Sequence, residues 1–168
     1  MKALIIATNK FEDSELFYPY YRLKEAEIEV DVASPKGQTI SGKHGIEIES
    51  DLKIGNAVVE DYELLVIPGG RSPEHLRLEA PEVIELVKKF DASDKLIAAI
   101  CHGAQLLISA NILENRKATC YWSIRDDLEN AGAEFVDQSV VVDENIITAR
   151  HPPDNPDFMR KVLGKLKD

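Results

Sequence analysis

Only two cysteines, Cys101 and Cys120, occur in 168 residues, and they lack C-x-x-C spacing. A structural zinc site and a disulfide framework are therefore not expected, and the free thiols suit a reducing cytoplasm. Apolar residues never run to the roughly 18 that a membrane span requires. The opening stretch Met1-Lys2-Ala3-Leu4-Ile5-Ile6-Ala7 is too short for a signal peptide's apolar region, and it soon meets Glu12, Asp13 and Glu15. The expectation is a cytoplasmic protein with no membrane partner. Basic residues are scarce: 20 Lys and Arg stand against 30 Asp and Glu, a formal net charge of −10. Such a balance argues against any sequence-independent hold on nucleic acid phosphates. Repeats, linkers and low-complexity runs are also missing. The chain therefore reads as one domain over 1–168, long enough to bury roughly 70% of its unfolded surface.

What is present is an alternation of short apolar runs and helical spacing. Residues 2–8, 63–67 and 96–100 have the length and composition of buried parallel strands. Residues 28–33 alternate and stop at Ser34-Pro35-Lys36-Gly37. Thr39-Ile40 and Ile46-Glu47-Ile48 then flank Ser41-Gly42-Lys43-His44-Gly45 as a hairpin would. Helices are predicted over 15–26, 81–90, 123–130 and 157–166, the second with Pro81 at its first position. Weaker strands are predicted at 134–135, 140–143 and 146–149. This order predicts an α/β fold whose parallel sheet carries helices on both faces and gathers its site outside the strands' carboxyl ends. Thr8 onward, Gly69-Gly70 and Cys101 all lie at such ends.

The sharpest local feature is Ile100-Cys101-His102-Gly103-Ala104, where a buried strand gives way to a helix. A side chain at that turn faces a helix N-terminus, whose free amides and positive dipole end favour a thiolate. Small residues flank it, Ala99 before and Gly103 after, as a nucleophile elbow requires. The alternative is a cysteine that is only a small buried hydrophobe. His102 is a candidate partner for the sulfur, although adjacent side chains on a turn diverge unless the elbow brings both toward the crevice. A nearby imidazolium is expected to lower the thiol pKa below its free value. Gly69-Gly70 is either a tight turn or part of an oxyanion hole, leaving an amide to act with those of Cys101 and His102. It lacks the lysine of a phosphate-binding loop, so no nucleotide is expected. Glu12-Asp13-Ser14-Glu15 decorates a helix start, and one of its carboxylates can reach the crevice to share a proton with the thiol. His44 and His75 read as surface residues. His151 follows a strand end, where a cysteine–histidine–acid triad of amidotransferase type would place its histidine.

Taken together, Phe11-Glu12-Asp13-Ser14-Glu15-Leu16, Tyr18-Pro19-Tyr20, Gly42-Lys43-His44-Gly45, Ile67-Pro68-Gly69-Gly70-Arg71-Ser72-Pro73-Glu74 and Ile100-Cys101-His102-Gly103 resemble the PfpI-type intracellular cysteine proteases. That family belongs to a superfamily shared with the Parkinson-associated deglycase and class I glutamine amidotransferases. The resemblance runs nearly end to end, through Asp126-Asp127 and Asn130-Ala131-Gly132. It implies a flavodoxin-like three-layer sandwich with a mostly parallel sheet and a nucleophile elbow. By the same resemblance, Cys101 is the nucleophile, and His102 its acid/base is oriented by Glu74 of a neighbouring subunit. Glu15 is the carboxylate beside the sulfur with Glu12 close by, Gly70 lends an oxyanion amide, and Tyr121 lines the pocket. His151 falls where the family varies. Cys120 and Trp122 depart from the expected surroundings of that tyrosine.

The expected activity is a cysteine peptidase-like hydrolase without cofactor or metal, acting on peptides through an acyl intermediate on Cys101. The alternative at the same site is a glutathione-independent glyoxalase or deglycase acting on methylglyoxal or glycated amines. A redox-sensing stress chaperone is a third, in which the sulfur is oxidised and nothing is turned over. The expected partner is the chain itself, in dimers that build a trimer or hexamer.

Overall fold

The structure, a computed structural model, describes residues 1–167. Strand β1 (Lys2–Ile6) leads into helix α1 (Asp13–Glu25) and strand β2 (Glu29–Ser34). A hairpin of β3 (Ile40–Ser41) and β4 (Glu47–Ile48) follows, then the short β5 (Leu52–Lys53). Strand β6 (Leu64–Ile67) is followed by helices α2 (Ser72–Glu79) and α3 (Glu82–Ala92), and β7 (Leu96–Ile100) by α4 (Ala104–Ser109). The last part holds β8 (Lys117–Ala118), α5 (Arg125–Asn130), β9 (Glu134–Phe135), β10 (Val140–Asp143), β11 (Ile146–Ala149) and α6 (Asn155–Lys165).

Seven strands form one sheet in the order β10-β11-β7-β6-β1-β2-β5. All neighbours are parallel except the β10–β11 hairpin. The central strands β1, β6 and β7 read as unbroken apolar runs because both of their faces are covered. Alternate residues serve opposite sides. Leu4, Ile6, Leu65, Ile67, Ile97 and Ala99 pack with Val83, Val87 and Phe90 of α3 and Leu106 and Leu107 of α4. Ala3, Ile5, Val66, Ala98 and Ile100 pack with Leu16 and Leu23 of α1 and Phe158 and Val162 of α6. The result is the three-layer, flavodoxin-like α/β sandwich that the sequence implies.

The differences from the sequence reading are local. Helix α2 precedes α3 as a separate element, because Pro81 bars its neighbour Ala80 from helical geometry and cuts the helical text in two. β5 and β8 are two-residue strands, too short for any periodicity. Among the described residues, no helix is long and apolar enough to cross a membrane.

Candidate active site

The sequence Leu96-Ile97-Ala98-Ala99-Ile100 drives β7 to the middle of the sheet, and the chain must turn sharply to start α4. It does so at Cys101, whose φ of 61° lies in the left-handed region that a non-glycine residue rarely adopts. The turn is cramped on its inner side: a Cβ at Gly103 would sit 2.3 Å from the carbonyl oxygen of Ile67. A glycine there lets the elbow pass over the end of β6. Cys101 is buried, with its Sγ 3.4 Å from Nδ1 of His102. The strained turn thus brings two adjacent side chains to the same crevice. Nε2 of His102 lies 3.4 Å from Oγ of Ser123, and the His102 ring is 4.9 Å from that of Tyr121.

The end of β6 supplies the opposite wall. Gly69 donates its N–H to Glu15 Oε2 at 2.8 Å, and a Cβ on Gly69 would lie 2.5 Å from that oxygen and 2.7 Å from Cys101 Cβ. Only glycine fits between Glu15 and Cys101. Gly70, at φ 72°, and His102 present backbone N–H groups to the sulfur, an arrangement suited to a developing oxyanion. Glu15 is fully buried at the start of α1, and its Oε1 has no hydrogen-bond partner. The other carboxyls of that cluster have separate tasks. Glu12 forms an ion pair with Lys43. Asp13 accepts the backbone N–H groups of His44 and Ile46 at 2.9 and 3.1 Å, which fastens the β3–β4 hairpin across the site.

Burial sets the proton affinities here. It pushes the Glu15 carboxyl up to about 8, reinforced by the Glu12 charge and opposed by the Gly69 N–H. The Cys101 thiol also moves up, first through burial and then through the Glu15 charge, while the amides of His102 and Gly70 pull the other way. Burial lowers His102, with Glu74 opposing and Lys43 adding. The depressed thiol pKa expected from the sequence is therefore corrected: burial holds the thiol up and the imidazole neutral. At neutral pH Glu15 keeps its proton as well, so the carboxyl places no charge beside the sulfur.

A cavity of about 480 Å³ opens above these groups, bounded by Glu12, Lys43, Arg71, Glu74, Tyr121 and Pro152 as well as the sulfur. Glu74 of the same chain lines it, with Oε1 held by Arg71 Nε at 2.8 Å and His75 Nε2 at 3.7 Å. Its carboxylate stays below the usual range through Arg71. Cys101, His102, Glu15, Glu12, Gly70, Tyr121 and Glu74 thus all border one space. His151 does not. It pairs with Asp154 at 3.4 Å and lines a neighbouring cavity with Cys120, whose thiol is pushed up to about 12 by burial. Sequence reasoning gave no role to Lys43 or Ser123. Lys43 sat in a recognised hairpin tip whose docking was not legible, and Ser123 has no sequence signal at all. Glu12, Asp13 and His44 offer ligand atoms within 4.8 Å of one another, but Asp13 is occupied by backbone amides and Glu12 by Lys43. Hydrogen bonding accounts for that cluster without an ion.

A doubly covered parallel sheet with a strained cysteine at the carboxyl end of a central strand, a histidine on its sulfur and a neutral buried acid beside it, defines a nucleophile-elbow α/β protein of the thiol type. The family model described as DJ-1/PfpI family matches residues 1–165, and the chain belongs to that family. It is 46% identical over 167 residues to Deglycase PfpI of Pyrococcus furiosus, covering 99% of this chain and 100% of the relative. Among solved structures, a two-domain protein of Anabaena variabilis with DJ-1/ThiJ/PfpI-like and ferritin-like domains superposes with a TM-score of 0.96 at 34% identity. That match covers 99% of this chain and 48% of the two-domain protein, so the chain spans about half of its length. DJ-1 of Schizosaccharomyces pombe matches with a TM-score of 0.89 at 26% identity, covering 98% of this chain and 91% of that one.

Proposed function

We propose that this protein is a thiol-dependent deglycase or glyoxalase, acting on methylglyoxal and on the carbinol adducts it forms with amines. The observation that carries the reading is Glu15, a buried carboxyl beside the sulfur whose proton is held up to about pH 8. A 2-oxoaldehyde added to the sulfur as a hemithioacetal becomes a lactoyl thioester when a proton leaves the carbon bearing sulfur and a proton joins the neighbouring carbon. That transfer needs a group next to the sulfur that gives and takes a proton near neutrality. With an amine adduct, the sulfur first displaces the amine, and the thiol's own proton, taken up by His102 and passed on, leaves with it. Water then cleaves the thioester to lactate and restores the thiol. Each adduct consumes one water and yields one free amine and one lactate.

Peptide hydrolysis, the first choice from the sequence, ranks second. It has no step that calls for a carboxyl proton beside the sulfur. Relatives in Pyrococcus furiosus, Pyrococcus horikoshii, Pyrococcus abyssi and Thermococcus kodakarensis carry the name deglycase, which favours the same side. As part of this proposal, the active unit is a homo-oligomer in which Glu74 also serves the His102 of an adjacent chain.

The test is release of lactate and free N-acetyl-lysine from N-acetyl-lysine treated with methylglyoxal, measured at pH 7 beside cleavage of a peptide panel. Wild type should form both products, and Cys101→Ala and Glu15→Gln should each lose at least about a hundredfold in rate. Peptide cleavage faster than lactate formation, or full turnover by Glu15→Gln, would overturn the reading.

A further inference from the structure

Tyr121 is a wall shared by two cavities. On one side lie Cys101 and His102; on the other is a space of about 220 Å³ bordered by Trp122, Phe135, Arg125 and Arg150. The rings step outward from the nucleophile, His102 to Tyr121 at 4.9 Å and Tyr121 to Trp122 at 5.7 Å. The step is anchored, because the N–H of Tyr121 donates to the carbonyl oxygen of Cys101 at 3.3 Å. The second cavity therefore sits at a fixed offset from the sulfur.

Its charges decide what it can hold. Arg125 lies over the Phe135 ring at 4.7 Å and is tied to Glu129 at 3.0 Å. Arg150 holds Asp154 and Asp137, each at 2.9 Å, and His151 faces Asp154. Each of these cations already has a carboxylate. An anionic ligand would have to break a pair, whereas a flat uncharged ring meets guanidinium and aromatic faces that attract it. Trp122, the sole tryptophan of the chain, is 74% exposed at this cavity. So large an apolar ring left in water gains by being covered.

We propose that the cavity beyond Tyr121 is a second substrate subsite, which takes an uncharged aromatic side chain next to the amine that reacts at Cys101, with Trp122 as its specificity-determining wall. The proposal deepens the deglycase reading by naming the substrate class: glycated peptides with an aromatic residue beside the modified lysine.

The sole tryptophan makes occupancy visible without turnover. Cys101→Ala, which halts chemistry, is titrated with methylglyoxal-treated N-acetyl-Phe-Lys-amide and N-acetyl-Ala-Lys-amide while Trp122 emission is followed. The Phe peptide should bind roughly tenfold more tightly and shift the emission. In the wild type, kcat/KM should favour the Phe peptide by a similar factor. That ratio should fall toward one in Trp122→Ala and return in Trp122→Phe. Equal emission responses to the two peptides overturn the subsite, whether or not either is turned over. Preferential binding of the Phe peptide with no lactate from any substrate keeps the subsite and removes the deglycase reading. Emission that ignores both peptides and shifts with protein concentration assigns Trp122 to a contact between copies, and the subsite falls.

Discussion

Replacing Glu15 by glutamine should stabilise the protein, and increasingly so as the pH rises. The carboxyl moves from an ordinary value of 4.5 to about 8 because it is buried away from water. A group whose folded pKa is raised contributes fully below its unfolded value and loses that contribution as pH climbs through the folded one. Each unit is worth about 1.4 kcal/mol, so the folded state loses about 3 kcal/mol by pH 7 and about 5 kcal/mol above pH 8. Glutamine has nearly the same shape, cannot ionise, and its side-chain oxygen can still accept the Gly69 N–H. All other titrating groups are common to both proteins, so their difference isolates this one. Urea unfolding of wild type and Glu15→Gln at pH 4.5, 7 and 8.5, under reducing conditions, should give stabilities that coincide at the lowest pH and diverge by several kcal/mol at the highest. A difference that stays flat would mean that Glu15 ionises normally in the folded protein, and the reasoning from its burial would fail. The expected gain in stability accompanies the expected loss of turnover, the usual trade at a site that keeps a costly group for chemistry.

Three other experiments probe the rest of the site. Ser123→Ala should lower kcat several-fold at unchanged KM by freeing the far side of the His102 ring, with Ser123→Thr restoring it; an unaltered kcat and pH profile would remove Ser123 from the mechanism. Gly103→Ala forces a Cβ to within 2.3 Å of the Ile67 carbonyl oxygen and should lower the stability by about 2 kcal/mol or more, which an unchanged urea midpoint would contradict. Mixing inactive Cys101→Ala with inactive Glu74→Ala subunits should restore partial activity through mixed interfaces. Continued inactivity despite demonstrated exchange would assign Glu74 to its own chain, where it already lines the cavity.

The central strands were legible because burial on both faces leaves a continuous apolar text, and the elbow because a cysteine interrupts that text just before helical spacing begins. The Cys101–His102 contact was only half legible. Adjacency argued against it, and a left-handed φ at Cys101 reversed the geometry. Glu15 was found as a carboxylate near the sulfur, but its complete burial depends on β6 and α1 closing over it, which no local pattern reports. The thiol was misjudged for the same reason: a helix start is written in the sequence, whereas desolvation comes from distant chain. Lys43 reaches the site from a hairpin tip and Ser123 from a short 3-10 turn ahead of α5, and each meets there a residue distant in sequence, Glu12 and His102.

The main sheet ends in the two residues of β5 on one side and the four of β10 on the other. Neither margin offers a long open row of backbone donors and acceptors to a second molecule. A molecule that docked against the main sheet would therefore meet side chains rather than prolong the ladder. Contacts of that kind can be weakened one residue at a time, so an assembly built on this sheet would be open to dismantling by single substitutions while the fold beneath it stays intact.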